Sequence, residues 1–282
     1  MGIISSLFRI KQYYKNLLIF LPIIFSGNLF HTDLLLLTIV GFVALCLLSS
    51  SNYILNDIID IKRDRLHPEK RLRPLASRAI PVWQGVLFFV LFLIASLMIA
   101  ATLPREFVYT VLFLFLFTLL YTIWLKHEVF LDILAIAINF VARAAAGAFI
   151  IDVHISPWLV LGVFFLSIFL SVGKRYSDAM FLKKDAVMHR KTLQYYTKEL
   201  TNAMMIIATV LLVMSYALYS FLSEHENLLF TLPFALYVIF RYFSLIYAGS
   251  PIARHPEKVF GDIRMMLGMA AWGIVTLLIL YW

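Results

Sequence analysis

The chain has 282 residues, 62% of them hydrophobic, and a mean hydropathy of +0.91. That much apolar surface excludes an ordinary soluble domain and predicts a multi-pass membrane protein. The net charge of +8 fits basic cytoplasmic loops better than a nucleic-acid partner, and the single cysteine, Cys46, excludes an intramolecular disulfide.

Apolar runs long enough to cross a bilayer follow one another along the chain. Residues before Lys15 predict a short amphipathic helix at the membrane surface. Nine spans are expected near 16–31, 34–55, 82–103, 107–125, 129–151, 156–173, 201–222, 228–247 and 263–281. Because no soluble domain or linker interrupts them, we expect one all-α transmembrane domain over residues 1–282.

The distribution of basic residues predicts the orientation of the spans. Of the 24 lysines and arginines, 21 lie in the N-terminal segment and in alternate connections, and the opposite side carries only Arg105. By the positive-inside rule the N-terminus and the long loops 56–81 and 174–200 are cytoplasmic. An odd number of spans then places Trp282 outside.

A cluster of acidic residues follows the second span. On a helix, Asp57, Asp60 and Asp64 fall within about 60° of one another, with Asn56 beside them. Such like charges repel unless a cation lies over them, and hard oxygen ligands suit Mg²⁺ or Mn²⁺. The alternative is a solvated helix end whose charges pair with the neighbouring Lys62, Arg63 and Arg65.

Cations that could bind phosphate lie in three places. The acidic cluster is followed by Lys70, Arg71, Arg73 and Arg78. A second group opens the loop after the sixth span, and the third is the stretch from Tyr121 to Asp132, which contains Lys126. The second group comprises Lys174, Arg175, Tyr176, Asp178, Lys183, Lys184 and Asp185. Its first two cations have a plainer alternative as an anchor at the membrane boundary.

Arg143 lies in the middle of a span, where an uncompensated charge costs about 2.5–3.5 kcal/mol on insertion scales. It therefore faces a polar cavity or a buried acid, with Asp132 and Asp152 as the candidates. The small residues from Ala142 to Gly147 predict close helix contacts.

The stretch Asn56–Asp64 matches the pattern N-D-x-x-D-x-x-x-D, and the loop HPEKRLRPLAS follows it. Both resemble the first signature of the UbiA-type intramembrane prenyltransferases. Arg9, Tyr14-Lys15-Asn16, Tyr121, Lys126, Asp132 and Arg143 also have counterparts there. The resemblance implies about nine helices around a cavity open to the cytoplasm and to lipid, and catalytic roles for Asp57, Asp60 and Asp64.

One departure from the superfamily pattern concerns the second signature. Members that transfer prenyl groups carry two or three carboxylates after the sixth span, whereas this chain reads Gly-Lys-Arg-Tyr with Asp178 alone near the membrane. That pattern is similar to the branch of decaprenyl-phosphate phosphoribosyltransferases, which use phosphoribosyl pyrophosphate and a polyprenyl phosphate. Arg78 is a second departure, because a glycine is usual there.

The resemblance implies Mg²⁺-dependent displacement of pyrophosphate from ribose, with the metal on Asn56, Asp57, Asp60 and Asp64. It also implies an envelope-building enzyme in the cytoplasmic (inner) membrane. Substrate-binding residues are expected to be Lys15, Asn56, Lys70, Arg71, Arg73, Tyr121, Lys126, Lys174, Arg175, Tyr176 and Asp178. The alternatives are a prenyltransferase acting on an aromatic or quinone precursor, and a non-enzymatic transporter or lipid-binding protein.

Overall fold

The computed structural model describes residues 2–182, 191–223 and 225–282, and in these residues it contains helices and no strand. The α-helices are α1 (Ile3–Leu7), α2 (Leu21–Phe25), α3 (Thr32–Ile59), α4 (Ile61–Leu66), α5 (Val82–Ala100), α6 (Arg105–Ile123), α7 (Leu131–Ile151), α8 (Pro157–Leu182), α9 (Lys198–Leu222), α10 (Leu232–Tyr247), α11 (Pro251–Arg254) and α12 (Ile263–Tyr281). Six 3-10 helices connect or precede them: Ile10–Phe20, Lys70–Leu72, Leu125–His127, Lys191–Tyr195, Glu226–Thr231 and Pro256–Gly261.

Eight helices in the described residues are long and apolar enough to cross a membrane, namely α3, α5 to α10 and α12. The predicted all-α membrane fold is therefore confirmed, but the count of nine spans is not. The difference lies in the first predicted span, 16–31. There the chain forms the 3-10 helix Ile10–Phe20, the short helix α2 and a turn at Gly27, which has a φ of 73°.

The 3-10 segment is longer than its residue count suggests, because a 3-10 helix rises about 2.0 Å per residue against about 1.5 Å in an α-helix. Ile10–Phe20 and α2 together extend about 30 Å, the thickness of a bilayer core. The segment has the length of a crossing although it contains no long α-helix.

A row of side chains with a period of three explains how this segment packs. Residues three apart align along a 3-10 helix, and Tyr13, Asn16 and Ile19 form such a row, which Pro22 in α2 continues. Asn16, Ile19 and Pro22 are buried. Because the buried side chains repeat every three residues and include polar groups, the sequence of this segment does not predict an ordinary apolar α-helix.

Prolines and polar caps set the starts of the other helices. Pro81 and Pro104 precede α5 and α6, and Pro157 opens α8, where its missing N–H leaves no bond unmade. Thr197 caps α9 by accepting a bond from the Leu200 amide at 3.2 Å. Pro22 and Pro233 each lie in the first turn of an α-helix that follows a 3-10 segment.

The described chain divides into two compact units. The first comprises residues 1–126 and 142–153, and the second comprises 127–141 and 154–282. The expectation of a single domain stays a prediction.

Close helix contact organises the core of the first unit. Gly147 of α7 lies against the 3-10 segment, where an added Cβ would overlap the carbonyl oxygen of Ile19. Ala144 and Ala146 are buried nearby in sequence. The small residues of α7 therefore serve close packing, as the sequence predicts.

The second unit has its own core, in which aromatic side chains of α8 and α10 interlock. The rings of Phe169 and Tyr242 meet edge to face with centroids 5.4 Å apart. Gly173 of α8 lies against Ile246, whose Cδ1 would be 2.7 Å from an added Cβ, so a larger side chain there requires the Ile246 side chain to shift.

Candidate active site

The acidic cluster lies where α3 gives way to α4. Asp60 ends α3 with a φ of −89° and a ψ of 4°, and α4 begins at the next residue. The helical hydrogen bonds continue across this point, because the Asp60 amide donates to Asn56 and the Asp64 amide donates to Asp60. Asp57 and Asp64 are consequently held on one side, with only 2% and 3% of their surfaces exposed.

Three cations from distant parts of the first unit pair with these carboxylates. Arg73 Nη1 lies 3.0 Å from Asp57 Oδ1 and 2.6 Å from Asp64 Oδ2. Arg9 Nη2 also donates to Asp57 Oδ1. Lys126 Nζ donates to both oxygens of Asp60, at 2.7 and 2.8 Å.

These contacts decide between the two interpretations of the acidic cluster. In the described residues, the carboxylates make no ion pair with Lys62, Arg63 or Arg65, so local pairing on a solvated helix end is not what the structure shows. Burial raises the pKa of Asp64, and the Arg73 guanidinium opposes that rise. Cations lie over the acidic cluster, as the charge repulsion requires.

Tyr53 lies beside Arg9 and a further cation, Lys15. The Arg9 guanidinium lies 4.7 Å from the centre of the Tyr53 ring, and Lys15 Nζ lies 3.4 Å from its hydroxyl. Lys15 makes no ion pair in the described residues. Its charge is therefore available to an anion.

Asn16 of the 3-10 segment is a hydrogen-bond partner of Arg143. Arg143 Nε donates to Asn16 Oδ1 at 2.9 Å, and Asn16 Nδ2 donates to Ser49 Oγ at 3.2 Å and Cys46 Sγ at 3.3 Å. The charge in the middle of α7 is thus met by a polar network in the membrane interior.

The other predicted residues of the first unit differ in exposure. Asn56 and Tyr121 are half-buried, and in the described residues neither side chain makes a hydrogen bond within the protein. Lys70 and Arg71 are exposed on the loop before Arg73. The structure therefore pairs Asp57 and Asp64 with Arg73, and Asp60 with Lys126, and it leaves Lys70 and Arg71 at the surface.

The donor set fits a hard divalent cation at one position. Asp57 Oδ1 and Asp64 Oδ2 converge on a single nitrogen of Arg73, so they lie within two hydrogen-bond lengths of each other. Two buried carboxylates with the Asn56 amide nearby offer the oxygen ligands that Mg²⁺ and Mn²⁺ prefer. The described residues contain no group of three or more His, Cys, Asp or Glu arranged to hold a metal, and Asp60 is paired with Lys126.

In the second unit, Arg175 is engaged by a buried acid. Arg175 Nε donates to Asp132 Oδ2 at 3.0 Å, and Asp132 also accepts a bond of 2.5 Å from the Tyr196 hydroxyl. Burial raises the pKa of Tyr196, and the bond to Asp132 adds to that rise. A guanidinium held by a buried carboxylate is not a surface anchor at the membrane boundary. A phosphate contact of Arg175 stays a prediction.

The neighbours of Arg175 on α8 have different surroundings. Lys174 is exposed, whereas the buried ring of Tyr176 packs edge to face on Tyr247 at 5.7 Å. Asp178 accepts a bond of 3.3 Å from Arg254. The predicted residues Lys183, Lys184 and Asp185 lie outside the described residues.

Arg9, Tyr53, Tyr196 and Arg254 make site contacts that the residue patterns do not predict. Arg9 carries the one available signal, because the superfamily resemblance extends to it. Its backbone adopts a left-handed conformation with a φ of 51°, which is rare for a residue with a side chain and typical of functional sites.

Comparison with known proteins agrees with the signature at the acidic cluster. The sequence model of the UbiA prenyltransferase family matches residues 18–279. The chain is 32% identical to a decaprenyl-phosphate phosphoribosyltransferase of Mycolicibacterium smegmatis, over 96% of this chain and 90% of that protein. A protein of the same name from Corynebacterium glutamicum is 31% identical over 80% of this chain and 69% of its own length.

The fold is similar to that of a solved UbiA homolog from Archaeoglobus fulgidus bound to GPP and Mg²⁺. The TM-score is 0.74 at 19% identity, and the comparison covers 98% of this chain and 99% of the other. The chain therefore belongs to the UbiA prenyltransferase family and is an integral membrane transferase.

Proposed function

We propose that this protein transfers 5-phosphoribose from phosphoribosyl pyrophosphate to a polyprenyl phosphate and releases pyrophosphate. The observation that carries the proposal is the buried pair Asp57 and Asp64, which Arg9 and Arg73 contact, together with Lys126 on Asp60 and Lys15 on Tyr53. Such a site suits a metal-bound diphosphate. The relatives named decaprenyl-phosphate phosphoribosyltransferase support the choice of sugar donor and lipid acceptor.

The metal in this proposal is Mg²⁺, with Mn²⁺ as a substitute, and its ligands are Asp57 and Asp64 with Asn56. A bound divalent cation would neutralise charge on the leaving pyrophosphate. Asp60 contributes by holding Lys126, whose ammonium it fixes with two hydrogen bonds. Lys15 and Lys126 bind the remaining phosphate charge, and Lys70 and Arg71 attract the donor from the cytoplasm.

The reaction is a displacement at the anomeric carbon. An oxygen of the acceptor phosphate forms a bond to C1 of ribose while the bond from C1 to the pyrophosphate oxygen breaks and takes its electron pair to the leaving group. The acceptor is already an anion at neutral pH, so no general base is needed. The cations of the site therefore act by position and charge.

We place the site on the cytoplasmic side of the inner membrane. Support comes from the basic residues that surround the acidic cluster and from the scarcity of lysine and arginine in the alternate connections. Phosphoribosyl pyrophosphate is a water-soluble cytoplasmic reagent, whereas the acceptor reaches the site from lipid. The same cytoplasmic side then serves both substrates.

An assay with two pairs of substrates tests the proposal. Purified protein is given labelled phosphoribosyl pyrophosphate with a polyprenyl phosphate, and in parallel a prenyl diphosphate with an aromatic acid. We expect label in the lipid fraction and release of pyrophosphate in the first reaction only. Prenylation of the aromatic acid without any labelled ribolipid would show that the prenyltransferase alternative is correct.

A further inference from the structure

Arg73 occupies the position between the two buried carboxylates. One nitrogen of its guanidinium contacts both Asp57 and Asp64, and the side chain of Arg73 is 24% exposed against 3% and 4% for the two acids. In the described residues, Asp64 has no other ion-pair partner. Among the three cations paired with the acidic cluster, Arg73, which balances Asp64, therefore has the most exposed side chain.

The backbone that carries Arg73 is anchored although its side chain is partly exposed. Leu75, two residues further on, is 1% exposed and packs in a cluster with Leu7, Ile54 and Ile80. The Ser77 amide donates to the Arg73 carbonyl at 2.9 Å, which closes the turn. A change at this site can therefore occur by rotation of the Arg73 side chain with little movement of the loop.

A divalent cation and the Arg73 guanidinium compete for the same oxygens. A metal bound to Asp57 Oδ1 and Asp64 Oδ2 would lie near the present position of Arg73 Nη1, and cations so close repel strongly where water is scarce. Without either cation the two buried carboxylates would repel each other. Arg9 remains paired with Asp57 in either case, but Asp64 needs one of the two cations at any time.

We propose that Arg73 is an internal counterion that holds the metal position in the metal-free protein and is displaced when the divalent cation binds. This inference rests on the proposed function only for the existence of the metal. On displacement, the guanidinium turns toward the solvent side of the acidic pair, where an incoming diphosphate brings negative charge. Arg73 thereby couples metal binding to donor binding at one site.

The test measures Mn²⁺ binding by electron paramagnetic resonance on purified protein without any donor. We expect Arg73→Gln to tighten Mn²⁺ binding about tenfold or more, because it removes the competing charge. Arg73→Lys keeps the charge and should bind Mn²⁺ with an affinity close to that of the wild type. The matched control is Arg78→Gln, which removes the same charge from an exposed position on the same loop and should leave the affinity unchanged.

A second measurement uses the wild-type protein, so it does not require any variant to fold. Phenylglyoxal modifies accessible arginines, and mass spectrometry reports the rate at each position. We expect Mn²⁺ to speed the modification of Arg73 severalfold while Arg78, the internal control, reacts at a constant rate.

The outcomes separate this inference from the proposed function. Unchanged or weaker Mn²⁺ binding in Arg73→Gln, or a modification rate of Arg73 that does not rise with Mn²⁺, overturns the counterion role. If the wild type still transfers phosphoribose in that case, the proposed function stands. If neither the wild type nor Arg73→Gln binds Mn²⁺, both the metal assignment and the counterion role are wrong.

Discussion

Two buried carboxylates and their cations make up the chemical centre of the first unit. Asp57 and Asp64 are separated by two helical turns and still share one arginine nitrogen, and the helical hydrogen bonds continue across Asp60 between them. Each carboxylate is so enclosed that its charge acts strongly on any cation that takes the position of the Arg73 guanidinium. The effect of removing one charge is therefore local and large.

We expect Asp57→Asn and Asp64→Asn each to lower turnover by about two orders of magnitude or more, the scale of a lost preorganised charge contact. The proteins should still fold, because each change reduces repulsion in the acidic pair. Steady-state kinetics with and without EDTA measure the effect. The control is Asp33→Asn at the exposed start of α3, and full activity of either site variant would contradict the assignment.

Arg78 shows a different kind of residue-level constraint. Its φ is 64°, in the left-handed region that glycine adopts freely and that costs a residue with a side chain about 1–2 kcal/mol. This explains why a glycine is usual at this position in the superfamily.

We expect Arg78→Gly to raise the free energy of unfolding by about 1 kcal/mol, since relief of the backbone strain exceeds the extra entropy that glycine gains in the unfolded chain. Thermal unfolding in detergent measures it. Arg78→Ala removes the same side chain but keeps the Cβ, so it should not stabilise the protein. Equal stabilisation by both changes would mean that the charge, and not the backbone, is responsible.

At the level of elements, the contact between α7 and the 3-10 segment fixes the centre of the first unit. Gly147 lies directly against the Ile19 carbonyl, and Asn16, one 3-10 turn earlier, binds Arg143 of the same helix. The two contacts are one helical turn apart on α7, so that packing and hydrogen bonding act together.

We expect Gly147→Ala to lower the thermal midpoint of unfolding by several degrees and to reduce activity, because the new methyl group meets backbone that cannot yield. The matched control is Gly162→Ala in α8, where nothing lies within 4 Å of the added Cβ and the higher helix propensity of alanine should stabilise slightly. If both changes have the same effect, the close contact at Gly147 is not required.

The element-level role of Arg175 is to join α8 to the start of α7 through Asp132. Asp132 is fully buried, so Arg175→Ala breaks a buried ion pair at a cost of about 3–5 kcal/mol. We expect a large loss of stability in detergent without any substrate. Normal stability combined with a raised KM for the donor would show instead that Arg175 binds phosphate.

The sequence predicts the element types well where apolar runs are long, and it fails where the helix period changes. The eight long helices follow from hydropathy alone. The 3-10 segment does not, because Tyr13, Asn16 and Ile19 repeat every third residue and bring polar groups into the interior. Likewise the charges at Asp57 and Asp64 predict a cation. Only the fold brings Arg9 and Arg73 to Asp57, from 48 and 16 residues away in the sequence.

At the level of the whole molecule, the charge distribution and the family agree on a membrane transferase. Family membership sets aside the transporter alternative. The orientation rests on the basic residues. Seven of the eight long helices follow the loop 56–81, so a cytoplasmic loop places the C-terminus outside, and the N-terminus shares the side of that loop only if residues 10–25 cross the bilayer in addition to α3.

We expect an impermeant maleimide to label Leu66→Cys only from the cytoplasmic side and Trp282→Cys only from the outside. Both positions are exposed, by 83% and 91%, and the buried Cys46 should stay silent as the internal control. Labelling in right-side-out and inverted vesicles measures the orientation. Reaction of both positions from the same side would mean that an even number of crossings lies between them, which contradicts the seven long helices that follow Leu66.

The 3-10 segment also determines which length changes this part of the chain tolerates. In an α-helix, inserting three residues rotates everything beyond the insertion by about 60°, since three residues fall short of a full turn. In the segment Ile10–Phe20 three residues make one whole turn, so an insertion or deletion of three returns every later side chain to its original direction. Insertions and deletions within this segment should therefore occur in multiples of three residues, that is, in steps of nine nucleotides in the gene.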